Sequence, residues 1–289
     1  MSSRVEEIVR KRVLTEVEKY PFFQRAAVAL SGGKDSGSLL HVFREVCPDK
    51  EVIPIHLNLG IDGFSEASER FARMQAEMAG LRLVVFNLEK ELGFTIMDAR
   101  RLYPKVCSVC GGFKRYLLNR IAYKLDADII LTAHHLEDFL VRMLKSVLNA
   151  GFEELARFKT YLPRNGNLVA KGRPFCRVPE NLIMKYASLT GIPFLSEKCP
   201  VGRKENIERF RRTVEILARS QSQKLLYFSS LTKLAEMLQS SGAITMPELR
   251  PCSSCGFLAS GETCSFCARV GKIKAFLERD EASSPPNTR

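Results

Sequence analysis

An α/β fold is predicted by this sequence: a parallel β-sheet flanked by helices, followed by a small cysteine-rich module. Three observations lead to it. Short apolar runs of strand length alternate with stretches of helical periodicity through the first half of the chain. The first of those runs, AAVAL at 26–30, breaks at Ser31-Gly32-Gly33 and passes straight into a helical pattern. Four of the nine cysteines form two CxxC pairs, separated by eight residues, near the C-terminal end.

Residues 1–20 are charged throughout, which excludes a secretory signal, and Val5, Ile8, Val9, Val13 and Val17 mark one face of a docking helix. After the strand at 26–30 comes a helix over 36–46, then a second strand over 51–59 that ends at Gly60. Residues 64–79 read as an amphipathic helix with Phe64, Ala67, Phe71, Met74 and Met78 on its inner face, and 82–88 as a third strand. Cys107 and Cys110 introduce a helix to about Lys124. A fourth strand, DIILT at 128–132, leads through His134 and His135 into a helix over 135–149. Residues 151–179 are loop-rich, with a strand at 168–170. Helix is expected over 179–190, turns over 191–202, and mostly helix over 203–239, with Ile207, Phe210, Val214 and Leu217 on one face. Strands joined through helices of this length imply right-handed parallel crossovers, and ligands then sit outside the carboxyl ends of the strands. The main chain from Leu57 to Gly60 can line an adenine site there. The expected division is an N-terminal helix (1–24), a main α/β domain with a helical C-terminal part (25–245), a cysteine ribbon (246–280) and a disordered tail (281–289).

Charge is distributed unevenly. The formal net charge is +12; residues 99–124 carry seven basic residues and no acidic one, 157–177 six and none, and 198–224 eight against three glutamates. Such segments suit a polyanion, and structured RNA is favoured. No apolar run approaches a membrane span, so no membrane partner is expected. Cysteines without a signal point to a reducing, cytoplasmic compartment and to metal ligation rather than disulfides. Cys47 and Cys176 read as packed thiols.

The stretch SGGKDS at 31–36 is the chemical focus. A strand that turns through glycines into a helix N-terminus aims several backbone N–H groups, with the helix dipole behind them, at one point: an anion cradle. Gly32 and Gly33 allow close approach, Ser31 and Ser36 add hydroxyl donors, Lys34 adds charge, and Asp35 can cap the helix or help order Mg2+. The Walker A spacing and GxGxxG are both absent. SGGKDS resembles the pyrophosphate loop of the N-type ATP pyrophosphatases, which cleave ATP into AMP and pyrophosphate.

The cysteines divide into two sets. Cys252, Cys255, Cys264 and Cys267 supply four thiolates, enough to close a tetrahedral Zn2+ site in a segment too small for its own core. Cys107, Cys110 and the distant Cys199 supply only three. Three cysteines can hold a cubane [4Fe–4S] cluster with one iron open; a persulfide pair is the second reading and simple packing the third.

Taken together, SGGKDS at 31–36, CSVCGGFKR at 107–115, AHHLED at 133–138, the Lys198-Cys199-Pro200 turn and the double CxxC resemble, in that order, the tRNA 2-thiolation enzymes of the TtcA/TtuA family over roughly residues 25–278, and most closely the TtuA-like branch. That resemblance implies a Rossmann-like PP-loop domain with a zinc ribbon. It implies a [4Fe–4S] cluster on Cys107, Cys110 and Cys199, with Lys114 and Asp138 as catalytic residues. The implied reaction adenylates the C2 oxygen of a tRNA pyrimidine and then transfers sulfur at the cluster, giving a 2-thiouridine or 2-thiocytidine. Lys114 would stabilise charge on phosphate or oxyanion, and Asp138 would hold Mg2+ or orient substrate. The implied partners are tRNA, a sulfur donor (sulfide or a ubiquitin-like sulfur carrier protein) and a second copy in a homodimer. Two departures stand out: no cysteine precedes Ser31, where the TtuA-like branch usually has a second zinc module, and Glu137 replaces the usual Asp. The competing readings are another PP-loop ATP pyrophosphatase, lysidine-synthetase-like or amide-forming, and a non-catalytic zinc-ribbon RNA-binding protein.

Overall fold

The computed structural model describes residues 3–202, 205–242, 244 and 247–283. Helix α1 (Arg4–Val17) opens on a capping box between Ser3 and Glu6 and buries Val9, Val13 and Val17. Strand β1 (Arg25–Ala29) leads into α2 (Lys34–Val46), then β2 (Glu51–Asn58), α3 (Phe64–Met78) and β3 (Val84–Asn87). Two short helices, α4 (Leu88–Leu92) and α5 (Ile96–Leu102), precede α6 (Val106–Lys124), β4 (Ile129–Leu131) and α7 (Leu136–Leu148). The chain continues through α8 (Phe152–Ala156), β5 (Tyr161–Leu162), β6 (Ala170–Gly172), α9 (Glu180–Leu189), α10 (Glu205–Leu217) and α11 (Gln221–Ser240). The cysteine module holds β7 (Arg250–Pro251), β8 (Leu258–Ala259) and α12 (Ser265–Ser283).

The main sheet runs β3-β2-β1-β4-β6-β5, parallel except for the β5–β6 pair. Its two faces are covered differently. Ala26, Val28 and Leu30 pack with Leu39, Phe43, Val9, Val13 and Ile183 on the side of α1, α2 and α9, whereas Ala27, Ile55 and Ile130 pack with Ala122 of α6. Strands covered on both faces carry the near-continuous apolar runs from which they were expected. No helix among the described residues is long and apolar enough to cross a membrane.

Several expectations shift. Helix α2 starts at Lys34 with Gly33 as its N-cap, so Asp35 lies in the first turn rather than at the cap. Helix α3 is present, but Met74 and Met78 are exposed, and Ser65, Ser68 and Gln75 are buried instead. Ser68 and Gln75 point inward because they hydrogen-bond the glycine loop, as described below, and Ser65 because its Oγ accepts from the Ile61 amide at 2.9 Å. Helices α4 and α5 were not anticipated; the Thr95/Asp98 capping box that starts α5 is the signal that marks it. The strand expected at 168–170 falls at 170–172, with β5 added on its edge. In α10 only Val214 of the expected face is fully buried, while Ile207 and Leu217 are exposed, and the chain breaks between α10 and α11. Residues 281–283 continue α12 rather than starting a tail; 284–289, like the expected boundary at 245–246, lie outside the described residues.

Candidate active site

The carboxyl ends of β1, β2 and β4 open into one cleft. Ser31, Asp35 and Ser36 line it from the β1–α2 turn, and His56 and Leu57 from β2. Opposite stand Lys114 and Arg115 of α6 and, beyond β4, His134, Asp138 and Arg142. The cavity measures ≈ 490 Å3, inside the range of about 300–1,000 Å3 usual for small-molecule sites.

The glycine loop is built to be rigid. Gly32 has φ +73°, and a Cβ there would lie 2.3 Å from the Ser68 carbonyl oxygen, so only glycine fits. Inside the loop the Ser31 amide donates to Ser36 Oγ at 3.0 Å, and Ser36 Oγ donates to the Gly33 carbonyl at 3.1 Å. From outside, Ser68 Oγ donates to the Ser31 carbonyl at 2.7 Å. Gln75 Nε2 reaches the carbonyls of Gly33 at 3.2 Å and Pro193 at 2.8 Å, and the Leu195 amide donates to the Gly32 carbonyl at 2.9 Å. With the loop carbonyls occupied this way and no side-chain cap on α2, the first-turn amides are left for an anion.

Lys34 behaves differently from expectation. Its Nζ lies 2.9 Å from both Asp35 Oδ1 and Glu180 Oε1, and it is not part of the cleft wall. Glu180, at the start of α9, also takes Arg211 Nη1 at 2.8 Å, and Arg211 Nη2 lies 2.9 Å from Asp138 Oδ1. Asp138 stands in the first turn of α7, with the His135 amide 3.3 Å from its Oδ2. Burial alone would lower the His135 pKa, but Glu137, Asp138, Asp35 and Glu180 surround the ring and raise it. Glu137, 5 % exposed, resists the upward pull of burial; His135, the Glu180 amide and Lys224 Nζ at 3.0 Å hold its pKa down to about 2. Glu137 is thus a buried acceptor that ties α7 to α9 and α11.

His56 was not singled out by its sequence position. Its Nδ1 lies 2.8 Å from the Leu30 carbonyl, which makes Nε2 an acceptor in the neutral ring, and Nε2 has no hydrogen-bond partner among the described residues. Burial lowers its pKa and keeps it neutral. His134 keeps an exposed edge in the cleft; desolvation by the surrounding walls lowers its pKa, Asp138 opposes this, and Arg173 and Arg142 add to it.

On α6, Cys107 is exposed and Cys110 half-buried, and Lys114 follows one turn after Cys110. The turn that carries Cys199 rests on this end of α6, with Cys107 Sγ 3.7 Å from the Val201 carbonyl. Burial pushes the Cys110 thiol up; Lys114 opposes this, and Cys199 and Cys107 add to it. The three cysteines therefore converge at the edge of the cleft near Lys114, but without the tight spacing of the C-terminal set.

That set is closed. The Sγ atoms of Cys252, Cys255, Cys264 and Cys267 lie within 4.8 Å of one another, the single such group among the described residues. The Cys264 amide donates to Cys252 Sγ at 3.2 Å and the Cys267 amide to Cys264 Sγ at 3.4 Å, contacts that favour thiolates. The module packs on α6: Phe266 stacks on Tyr116 at 3.9 Å between centroids, and Arg269 Nη1 donates to the Ser108 carbonyl at 3.3 Å. Asn167, between β5 and β6, holds it from the other side through Gly256 and Leu258. Cys47 and Cys176 are buried thiols, as expected.

A PP-loop domain profile matches residues 5–215. The chain is 30% identical over 272 residues to a tRNA-5-methyluridine(54) 2-sulfurtransferase of Pyrococcus horikoshii, covering 93% of this chain and 86% of that relative. It is 32% identical over 247 residues to the enzyme of the same name from Thermus thermophilus, covering 84% of this chain and 75% of that relative. Among solved structures, the U34-tRNA thiolase NcsA from Methanococcus maripaludis with its [4Fe-4S] cluster superposes with a TM-score of 0.77 at 20% identity, over 93% of this chain and 88% of that one.

Proposed function

From a chain that belongs to the PP-loop family, and within it to the tRNA 2-sulfurtransferases, we propose an ATP-dependent tRNA 2-thiolation enzyme that forms AMP and pyrophosphate. The observation that carries this reading is one cleft holding a glycine loop with open helix amides and a lysine and carboxylate pair (Lys114, Asp138), with Cys107, Cys110 and Cys199 gathered just outside its lining beside Lys114.

In this reading the amides from Ser31 to Ser36 take the ATP phosphates, and the main chain near Leu57 takes the adenine. Asp35 and Asp138, both at the foot of the cleft, supply carboxylates for Mg2+. The pyrimidine C2 oxygen attacks the α-phosphorus and pyrophosphate leaves. A sulfur nucleophile then attacks C2, and AMP departs with the former oxygen. Lys114 stabilises charge on the phosphate and on the oxyanion.

Cys107, Cys110 and Cys199 suit a [4Fe–4S] cluster. They are three thiols of mixed exposure beside a lysine, and their spacing is wider than a single ion needs. Held by these three thiolates, such a cluster would keep a position free of protein ligands and would supply a binding place for sulfur. The tight four-thiolate set at 252–267 suits structural Zn2+, whose binding would supply much of the ribbon's folding energy. A homodimer is part of the proposal on the family resemblance. A cytoplasmic location and a sulfide or carrier-protein donor complete the proposal.

The test is tRNA-dependent exchange of labelled pyrophosphate into ATP. Exchange that requires tRNA supports adenylation of the nucleotide. Release of ADP in place of AMP would overturn it. A non-catalytic RNA-binding ribbon predicts no exchange under any condition.

A further inference from the structure

Lys171 sits in β6 and Arg173 one residue beyond it; Arg142 projects from α7 and Arg115 from α6. Arg115 and Arg142 line the main cleft. Arg142 and His134 also border a small recess with Phe158 and Arg173; Asp138 lines it too, but its carboxylate is taken by Arg211. Other cations near the loop are neutralised: Lys34, Arg211 and Lys224 all rest on carboxylates. Among the described residues these four make no ion pair with a carboxylate. Lys171 and Arg173 are nevertheless half-buried.

They are also held in place. The Arg173 guanidinium packs over Phe139 with 6.0 Å to the ring centroid, its Nη1 donates to the Lys159 carbonyl, and its amide donates to Tyr20 Oη at 2.9 Å. Arg142 lies over Phe158 at 5.8 Å. Like charges gathered and desolvated without a counter-ion are unfavourable in the free protein, and the cost is recovered when an anion enters. The loop at 31–36 already meets the needs of the ATP phosphates, and neither Lys171 nor Arg173 lines the cavity beside it. A strand running from the cleft past Phe158 would next meet the exposed Arg157 and Lys159.

We propose that Arg142, Lys171 and Arg173, with Arg115 at the cleft edge, form a subsite for the backbone phosphodiesters that flank the target pyrimidine. The inference rests on the tRNA-thiolation reading. A base modified at C2 must leave its stack to reach the cleft, and fixed cations beside the cleft mouth can hold the distorted backbone of that nucleotide.

The experiment measures binding of an unmodified tRNA transcript to full-length protein across a potassium chloride series. It compares wild type, Lys171→Gln/Arg173→Gln and Arg173→Lys. The double variant is expected to lose about tenfold in affinity near physiological salt and to flatten the log–log salt slope by roughly one unit per lost contact. Arg173→Lys should keep the wild-type slope, and ATP affinity without RNA should be the same in all three proteins. An unchanged slope in the double variant would overturn the subsite while leaving the thiolation reading standing. So would a fall in ATP affinity with the tRNA slope intact, which assigns the cations to ATP phosphates, or a slope lost equally in Arg173→Lys, which assigns a structural role. Failure of the wild type to bind tRNA would overturn both readings.

Discussion

Arg211 Nη2 lies 2.9 Å from Asp138 Oδ1 while its Nη1 lies 2.8 Å from Glu180 Oε2, so one guanidinium on α10 spans the carboxylates at the starts of α7 and α9. Glu180 in turn holds Lys34, at the first residue of α2. Three helix N-termini around the cleft are therefore tied through one arginine that lies twelve residues beyond Cys199. Arg211→Gln removes the guanidinium between Asp138 and Glu180 and leaves Lys34 as the remaining Lys or Arg partner of Glu180. The expected result is a loss of about 1–3 kcal/mol in stability and a raised KM for ATP, with cluster content unchanged. Wild-type melting and KM in that variant would show that the bridge is incidental.

Gly32→Ala should abolish ATP binding without unfolding the sheet. A Cβ would collide with the Ser68 carbonyl oxygen, and the backbone is left-handed at that residue. The loop must shift, and its amides move away from the phosphates. Calorimetric titration with ATP measures this directly, and wild-type affinity in a folded variant would contradict the assignment of the loop.

How the loop is held was not legible in the hydropathy pattern. Helix α3 was expected to bury Met74 and Met78, yet it turns Ser68 and Gln75 inward to bond the loop carbonyls. A polar side chain buried for such a bond reads in a sequence as solvent-facing. The same holds for Glu180 and Arg211, whose partners lie far off in sequence. By contrast, β1 to β4 were legible from apolar runs, whereas the two-residue β5 and the displaced β6 carry no such run. The loop was legible from its glycines, and the ribbon from ligand spacing alone. Helix α10 was misjudged because Ile207 and Leu217 lie at its exposed ends.

The acid limb of stability should depend on Glu137. Its folded pKa is held down to about 2, below the ordinary carboxylate value of 4.5. A depressed carboxylate contributes stability that is present above its unfolded pKa and lost as pH falls toward the folded value. Melting temperature should therefore drop between about pH 4.5 and 2 more steeply in wild type than in Glu137→Gln. His135 has the opposite sign: its pKa is raised, so its contribution is full below about pH 6.5 and fades as pH rises through the elevated value. Parallel melting profiles for wild type and Glu137→Gln on the acid side would refute the first of these assignments.

Cys264→Ser should remove about one equivalent of zinc per chain and unfold the ribbon. Because Phe266 and Arg269 brace the end of α6 that carries Cys107 and Cys110, iron retention should weaken as well. ATP binding at the loop, on the opposite side of the cleft, should persist. Unaltered zinc content measured by metal analysis would refute the four-thiolate site.

The most direct measurement is mass analysis of tRNA nucleosides and adenine nucleotides after one reaction. It uses anaerobically prepared protein carrying about four irons per chain, with ATP, Mg2+, sulfide and unmodified tRNA. A 2-thiopyrimidine formed in step with AMP and pyrophosphate is the predicted result. It should be lost in Cys110→Ala and Cys199→Ala together with the iron, and lost in Lys114→Ala and Asp138→Ala with the iron retained. Full thiolation by iron-free, chelator-treated protein would contradict the cluster and favour a persulfide. Consumption of ATP with no sulfur in the tRNA would contradict the account as a whole.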